Sequence, residues 1–475
     1  MKNLLFVFIT LMFAVCIYAE TKNVEVTVYN QGFGLVKEIR TMDVKSGENH
    51  YNFEDVAALI EPASVLFKSL TDSNSIALIE QNYEYDLMNA RNILAKSIGK
   101  KVTCKDGITG TIISAPGVGD AGNAGLIVKT DDGKIMLYPS IEYITELPEG
   151  LIARPTLNMF IASDKTKTHD VELSYISQGF NWNANYVVLL GENDDLCDIN
   201  GWATITNNSG TAFRNANLTL VAGDVNRVQP KINRHLGMGG MMAAPVMEAK
   251  AMDMANGFEE EGFFEYHLYK LGRNTDIKNN ESKQISLLQG NNVKITKKMT
   301  FTPHIRSHYF CLNYDKNPYY AATSENTKIP VILEIENKEN NSLGKPMPKG
   351  TVKIYKKDKA GKEQFVGEDT IDHTPKDEKI KLKTGNAFDI VGEYKLTNYK
   401  RISQNVIEET YEVTIKNHKK SEDVTVYFYE NAWGDWKITD TKAKYTKIDA
   451  ATIEFPICVK ADGETVITYT IRTKY

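Results

Sequence analysis

The sequence predicts a mainly β, multidomain protein made of antiparallel, immunoglobulin-like β-sandwiches, with a small SH3/Sm-like barrel and one short helix in its N-terminal third. Three observations carry that expectation. Apolar and polar residues alternate with period two along most of the chain, Gly- and Asn-containing turns punctuate the alternation, and a single stretch has helical spacing. The 475 residues, 42% hydrophobic and 25% charged, exclude a disordered polymer and a multi-pass membrane protein. Five cysteines are too few for a disulfide-framework miniprotein, and 56 basic against 61 acidic residues leave no cationic excess for nucleic acid.

The first nineteen residues read as a signal peptide. Met1-Lys2-Asn3 is a short positive start, and Leu4 to Tyr18 is apolar except for Thr10. Ala19 offers a small residue at the cleavage position, and Glu20-Thr21-Lys22 ends the run short of the ~20 residues a spanning helix needs. Val15 is too bulky for lipidation at Cys16. The mature chain is therefore expected to begin near Glu20, exported to the periplasm or beyond, with no transmembrane span after cleavage. Cys104, Cys197, Cys311 and Cys458 remain, widely scattered and with no CxxC, which argues against zinc. An oxidising envelope permits disulfides, but buried unpaired thiols within strands are the expectation. No metal and no cofactor is expected.

Residues 20–85 read as an N-terminal β segment, in which Val24, Val26 and Val28 face one way and Asn30-Gln31-Gly32 makes the turn. Residues 86–148 read as helix plus five-stranded barrel. Asp86 is the expected N-cap, Leu87, Ala90, Leu94 and Ile98 form the apolar stripe, and Gly99 is the left-handed stop. Strands follow at Lys101–Cys104, Ile108–Ser114, Leu126–Thr130, Lys134–Tyr138 and Tyr143–Leu147, with hairpin turns at Asp106-Gly107 and Asp132-Gly133. Barrels of this type include RNA binders, but no basic-aromatic cluster is present here.

Residues 149–320 read as a β-sandwich carrying a Met-rich loop at 236–262, and 321–475 as a C-terminal immunoglobulin-like β region. Met238, Met241, Met242, Met247, Met252 and Met254 crowd that loop, beside His235, and Glu259–Glu261 close it. Thioethers suit Cu(I). Their spacing has no repeat, however, and the Gly/Ala/Pro composition predicts a mobile connection instead. Three strands end on Asn before a polar hairpin: Ala203–Asn207, Ile332–Asn337 and Glu412–Asn417. Each is followed by another alternating strand, a layout that suits repeated sandwich modules.

The sequence carries few catalytic motifs. No GxSxG, HExxH, P-loop or GxGxxG is present. Ser97-Ile98-Gly99-Lys100 and Lys383-Thr384-Gly385 mimic the two halves of a penicillin-recognising serine enzyme, but Ser97 stands at a helix end and Gly99 stops the turn before Lys100. His304 and His308 precede an apparent strand, where a spacing of four is ~13 Å, too far to share an ion. The densest polar cluster contains Asp372, His373, Asp377 and Glu378. Carboxylates beside a histidine suit acid–base work or a hard cation, and the same residues suit an ordinary turn. Trp433, Trp436 and Trp182 stand near amides, a combination that stacks on sugar faces or caps a sandwich core.

Several stretches together resemble the domain-of-unknown-function 4139 family of exported bacterial proteins. They are VELSYISQGFNWNANYVVLL from Val171, GWATITNNSGTAFRNANLTLVAGDVNRV from Gly201, FFEYHLYKL from Phe263, FVGEDTIDHTPKDEKIKL from Phe365, NHKKSEDVTVYFYE from Asn417 and WGDWKI from Trp433. EQNYEYDL from Glu80 is similar to the same family. The resemblance covers about 171–475 and implies a β-rich envelope protein; it lends no catalytic residue. It also implies that the Met-rich loop is a family habit. Some relatives add a helical coiled-coil segment, which this sequence lacks.

The expected function is that of a non-catalytic scaffold, or a binder of a protein or glycan of the cell envelope, with no nucleic acid as partner. The alternative is an envelope hydrolase or metal-dependent enzyme centred on Asp372–Glu378.

Overall fold

A computed structural model describes residues 20–85, 88–105, 107–115, 125–137, 139–146, 148, 150–227, 257–303 and 327–474. The signal-peptide reading (1–19), the Asp86 cap, Asp106, most of the Met-rich loop, Cys311 and the His304/His308 pair lie outside the described residues.

In chain order the strands begin with β1 (Glu20–Tyr29), β2 (Phe33–Val44), β3 (Gly47–Glu54), β4 (Leu66–Ser69) and β5 (Ile76–Glu84). The helix α1 (Ala90–Lys96) precedes β6 (Lys101–Cys104), β7 (Thr109–Ser114), β8 (Ile127–Thr130), β9 (Ile135–Leu137) and β10 (Ile141–Ile144). Then come β11 (Thr156–Ser163), β12 (Lys167–Gln178), β13 (Phe180–Leu190), β14 (Leu196–Asn207) and β15 (Phe213–Ala222). Next are β16 (Phe258–Phe263), β17 (Tyr266–Leu271), β18 (Thr275–Ile277) and β19 (Glu281–Phe301). The last ten are β20 (Lys328–Glu336), β21 (Gly350–Lys357), β22 (Glu363–Ile371), β23 (Lys379–Ser403), β24 (Val406–Asn417), β25 (Val424–Asn431), β26 (Asp435–Thr441), β27 (Thr446–Lys447), β28 (Thr452–Val459) and β29 (Gly463–Lys474). The protein is mainly β, with several separate sheets and one α-helix among the described residues. No helix among them is long and apolar enough to cross a membrane.

The chain divides into two units, Met1–Trp182 with Ile205–Lys283, and Asn183–Thr204 with Gln284–Tyr475. The first contains an eight-stranded sheet ordered β16-β17-β15-β1-β2-β12-β4, with β18 on β15, and a three-stranded sheet β3-β11-β5. Alternation supplies the core: Val26 and Val28 of β1, Val36 of β2, Leu173 and Tyr175 of β12, and Tyr51, Phe53, Leu157, Met159 and Ile161 of the smaller sheet are all buried. Pairing is antiparallel throughout this unit except between β1 and β15, which run parallel, a pairing that the long stretch of chain between them permits.

The strands read as a small barrel form one five-stranded sheet, β10-β6-β7-β8-β9, around Val102, Cys104, Ile112, Leu126 and Val128. Leu94 of α1 packs on that core. The helix starts later than the sequence suggests: Asn89 is the cap, its side chain accepting from the Asn92 N–H at 2.9 Å. Ile98, expected on the apolar stripe, is 54% exposed because the helix ends before it. Gly99 takes φ +85°, the left-handed stop the sequence required. The fourth and fifth strands, expected at Lys134–Tyr138 and Tyr143–Leu147, are Ile135–Leu137 and Ile141–Ile144.

The second unit contains the thirteen-stranded sheet system β22-β21-β13-β14-β19-β20-β23-β24-β29-β26, with β25, β27 and β28 attached through β19 and each other. At its C-terminal end β20, β23, β24, β29 and β26 pair in series, β19 pairs both β20 and β25, β28 pairs β25, and residues of these strands share one core. Phe301, Tyr394, Val413, Phe428, Phe455 and Tyr469 fill that core at 0–1% exposure. Each buried Phe or Val side chain of this kind contributes roughly 1.5–3 kcal/mol by leaving water.

Candidate functional site

The Asp372–Glu378 cluster occupies the turn between β22 and β23, and its four candidate side chains are exposed. The Asp372 carboxylate lies 93% exposed, 3.7 Å from the Lys349 ammonium. The His373 Nδ1 accepts from the Lys349 backbone N–H at 3.2 Å. Asp377 takes φ +70°, a conformation Asp adopts more readily than most residues, and its N–H donates to the Asn337 carbonyl at 2.8 Å. The four side chains therefore decorate a turn and do not converge on a common point.

The reason for that turn is the strand-ending Asn seen three times in the sequence. Asn337 is fully buried; its Nδ2 donates to the Pro375 carbonyl at 2.9 Å and the Lys345 carbonyl at 2.8 Å, while its Oδ1 accepts from the Gly344 N–H. Asn417, 1% exposed, donates to the Lys460 and Glu422 carbonyls and accepts from the Lys419 N–H. Asn207, fully buried, donates to the Lys278 and Thr211 carbonyls and accepts from the Ser209 N–H. In every case the residue two after the clamped carbonyl has positive φ: Asn280 at 55°, Asp377 at 70° and Asp462 at 50°. One amide satisfies its own loop and a distant turn together, which a buried Asn must do to offset desolvation. Asp377 is thus one of three copies of a structural turn residue.

Trp182, a candidate for either sugar stacking or the core, is a core residue at 1% exposure. Its indole N–H donates to the Val221 carbonyl at 3.0 Å and its ring tilts against Tyr269. Period-two alternation along β13 puts it inward with Phe180 and Ala184. Trp433 and Trp436 are half-buried. The Trp436 indole donates to the Ala450 carbonyl at 2.7 Å, its ring packs on the C-terminal core, and the Lys447 ammonium sits 4.6 Å from its centroid. The acidic close of the Met-rich loop is not loop: Glu259–Glu261 lie in β16, paired with β17, where Glu260 contacts His267 and Glu261 contacts Lys270. Ser97 is buried, with its hydroxyl bonded to the Ile93 carbonyl at 2.7 Å. Cys197 is buried as expected, its thiol pushed up to about 12 by burial, but Cys458 is exposed because its position in β28 faces outward.

Three polar clusters were not anticipated from sequence. In the C-terminal core Glu430 is buried beneath Tyr394 and Tyr469, whose hydroxyls both donate to its Oε2, from Tyr394 at 3.1 Å. Burial raises the Glu430 carboxyl to about 7, against the opposing phenol hydrogen bonds, and raises Glu409 to about 7 as well. In the first unit Glu38 accepts from Arg40 Nε at 2.7 Å and from the Tyr175 hydroxyl at 3.2 Å, while Arg40 also donates to the Glu54 carbonyl. On β12, paired opposite Met42 of β2, His169 is fully buried with Nδ1 2.9 Å from the Ser69 hydroxyl. That hydroxyl accepts from the Thr71 and Asp72 N–H groups, which makes it a turn-closing group. Burial, then the Lys167 charge, lowers the His169 pKa, which favours the neutral ring.

The signal for these clusters was present as polar residues in phase with apolar ones: Glu430 follows Val424, Val426 and Phe428, Glu409 lies between Ile407 and Tyr411, and Glu38 and Arg40 lie between Val36 and Met42. The first two clusters bond within their own cores, whereas His169 bonds Ser69 through Nδ1 and its buried Nε2 has no partner among the described residues. Among the described residues no group of His, Cys, Asp and Glu is placed to hold a metal ion.

No protein-family model matches the chain, and no curated protein matches it.

What the surface offers instead is exposed apolar area on edge strands. Ile135 and Leu137 on β9 are 53% and 62% exposed, and Tyr143 on β10 is 64% exposed, at the two edges of the small sheet. Phe263 and Phe264 form the tip between β16 and β17, the latter 86% exposed.

Proposed function

We propose that this chain is an exported, non-catalytic protein of the cell envelope, akin to the domain-of-unknown-function 4139 proteins it resembles, whose sheets present faces and edges to a protein or glycan partner. The observation that carries the reading is the Asn clamp. The cluster with the best catalytic composition, Asp372–Glu378, repeats a turn built twice more around Asn207 and Asn417, so its geometry answers to folding. The large apolar side chains left exposed at Leu137, Tyr143 and Phe264 support the same reading, since such surface on edge strands is where partners add. The N-terminal nineteen residues support export.

The test is site-specific photo-crosslinking in living cells, with the crosslinker at Leu137 and at Phe264 and a control at Lys400. The reading predicts a discrete adduct from one of the first two positions and none from Lys400. Absence of any adduct, or turnover of a substrate lost on Asp372→Ala or His373→Ala, overturns it.

A further inference from the structure

The outer face of the three-stranded sheet β3-β11-β5 has a composition that the sandwich cores do not explain. Register places Asn52, Asn158 and Asn82 in one row across the three strands, opposite one another. The next row is His50, Phe160 and Glu80. Neighbouring strands lie ~4.8 Å apart, so the amide row spans ~10 Å. His50 and Phe160 stack with ring centroids 4.6 Å apart and planes within 18°, His50 exposed and Phe160 half-buried.

Two carboxylates brace the amides. Glu80 Oε1 accepts from Asn82 Nδ2 at 2.6 Å, and Glu84 Oε1 accepts from Asn158 Nδ2 at 2.5 Å. Each braced amide keeps a carbonyl oxygen, and the Asn158 Oδ1 is shielded with no donor at all. A face of solvated strands would ordinarily carry lysines, yet the segments GENHYNFE, IALIEQNYE and TLNMFIAS contain no lysine or arginine.

We propose that this face binds a neutral polysaccharide. Amides offer donor and acceptor side by side, as a hydroxyl does, and carboxylates add acceptors. The ring pair supplies an apolar platform with polar surroundings. The three strands carry glutamates and no lysine or arginine, which removes the complement that phosphate, nucleic acid or an acidic peptide requires. The inference rests on the binding-protein reading and names its ligand class and its surface.

The experiment is affinity electrophoresis of the mature chain through gels containing laminarin, xylan or dextran, with poly-lysine as a competing ligand. The chain is retarded by at least one of the three polysaccharides. The His50→Ala, Asn82→Ala double variant, altered only at exposed side chains, loses at least tenfold in affinity with an unchanged melting temperature, and Asn82→Ala alone loses a smaller factor. Trp436→Ala is retarded like the parent. No retardation in any gel overturns the proposal, as does retardation indifferent to the double variant, retardation abolished only by Trp436→Ala, or a face that captures poly-lysine in preference. Any of these leaves the crosslinking result at Leu137 and Phe264 to decide the broader reading separately.

Discussion

The Tyr394 hydroxyl donates to Glu430 Oε2 at 3.1 Å within the C-terminal core, where both residues are buried on every side. Tyr469 donates to the same oxygen, and Tyr394, Tyr411 and Tyr469 stack in series with centroids 4.9 and 5.6 Å apart. The titratable groups that act on this carboxyl are the Tyr469 and Tyr394 phenols and Glu409, none of them a cation, while Tyr411 bonds Glu409. Burial holds the Glu430 and Glu409 carboxyls near 7, above the ordinary 4.5.

A carboxyl raised in this way binds its proton more tightly folded than unfolded. Its favourable contribution is whole below about pH 4.5 and is lost as pH rises through about 7. Each group then costs on the order of 3 kcal/mol at pH 8 relative to pH 4.5. Hydrogen exchange of peptides covering β24 and β25 should accelerate between pH 5.5 and 8 beyond the intrinsic base-catalysed increase. Glu430→Gln should flatten that trend and protect the same peptides at pH 8; protection that grows with pH in the parent protein contradicts the assignment.

The Asn clamps make a sharper distinction between folding and function. Asn337→Ala and Asn417→Ala each strand backbone groups in the interior and should cost about 2 kcal/mol or more in urea unfolding. Asp372→Ala and Glu378→Ala, on the same turn but exposed, should stay within about 0.5 kcal/mol. Equal losses from all four would mean that the clamp does not organise the turn.

Arg40 is held by Glu38 and the Glu54 carbonyl in the first unit's core. Arg40→Leu leaves the Glu38 carboxylate without its cation and should destabilise by about 3–5 kcal/mol. The double variant Glu38→Leu, Arg40→Leu should recover much of that loss, because the buried charge is gone. Chemical denaturation of the two variants separates these outcomes, and a single variant as stable as the parent would contradict the pairing.

Cys458 and Cys197 occupy opposite faces of their strands in the sense that matters for reactivity. Iodoacetamide should label Cys458 in the folded protein within minutes, while Cys197 stays unlabelled until denaturant is added, as read by peptide mass spectrometry. Labelling of both at one rate would contradict the burial described for β14.

Most of the fold was legible because period two survives in strands whose one face is buried. Val26 and Val28, or Leu173 and Tyr175, announce their orientation without any partner being known. The repeated Asn at strand ends was also legible as a pattern, although its meaning lies in contacts with Lys278, Pro375 and Lys460, far along the chain. The helix start was misplaced because Asp and Asn are both capping residue types, and it is the Asn89 side chain that accepts from the Asn92 N–H. Trp182 stood between a sugar site and a core cap because Asn183 and Asn185 flank it, and alternation along β13 settles the matter by turning the ring inward and Asn183 and Asn185 to the other face. The row of Asn52, Asn158 and Asn82 could not be seen at all, since strand order β3-β11-β5 brings together residues that are distant in sequence.

The most direct test of the account is the intact mass of the protein recovered from fractionated cells. An exported, sheet-built binding protein is predicted to be found in the envelope or medium with residues 1–19 removed and its chain beginning near Glu20. Recovery of the full-length chain, Met1 included, from the cytosol would contradict it.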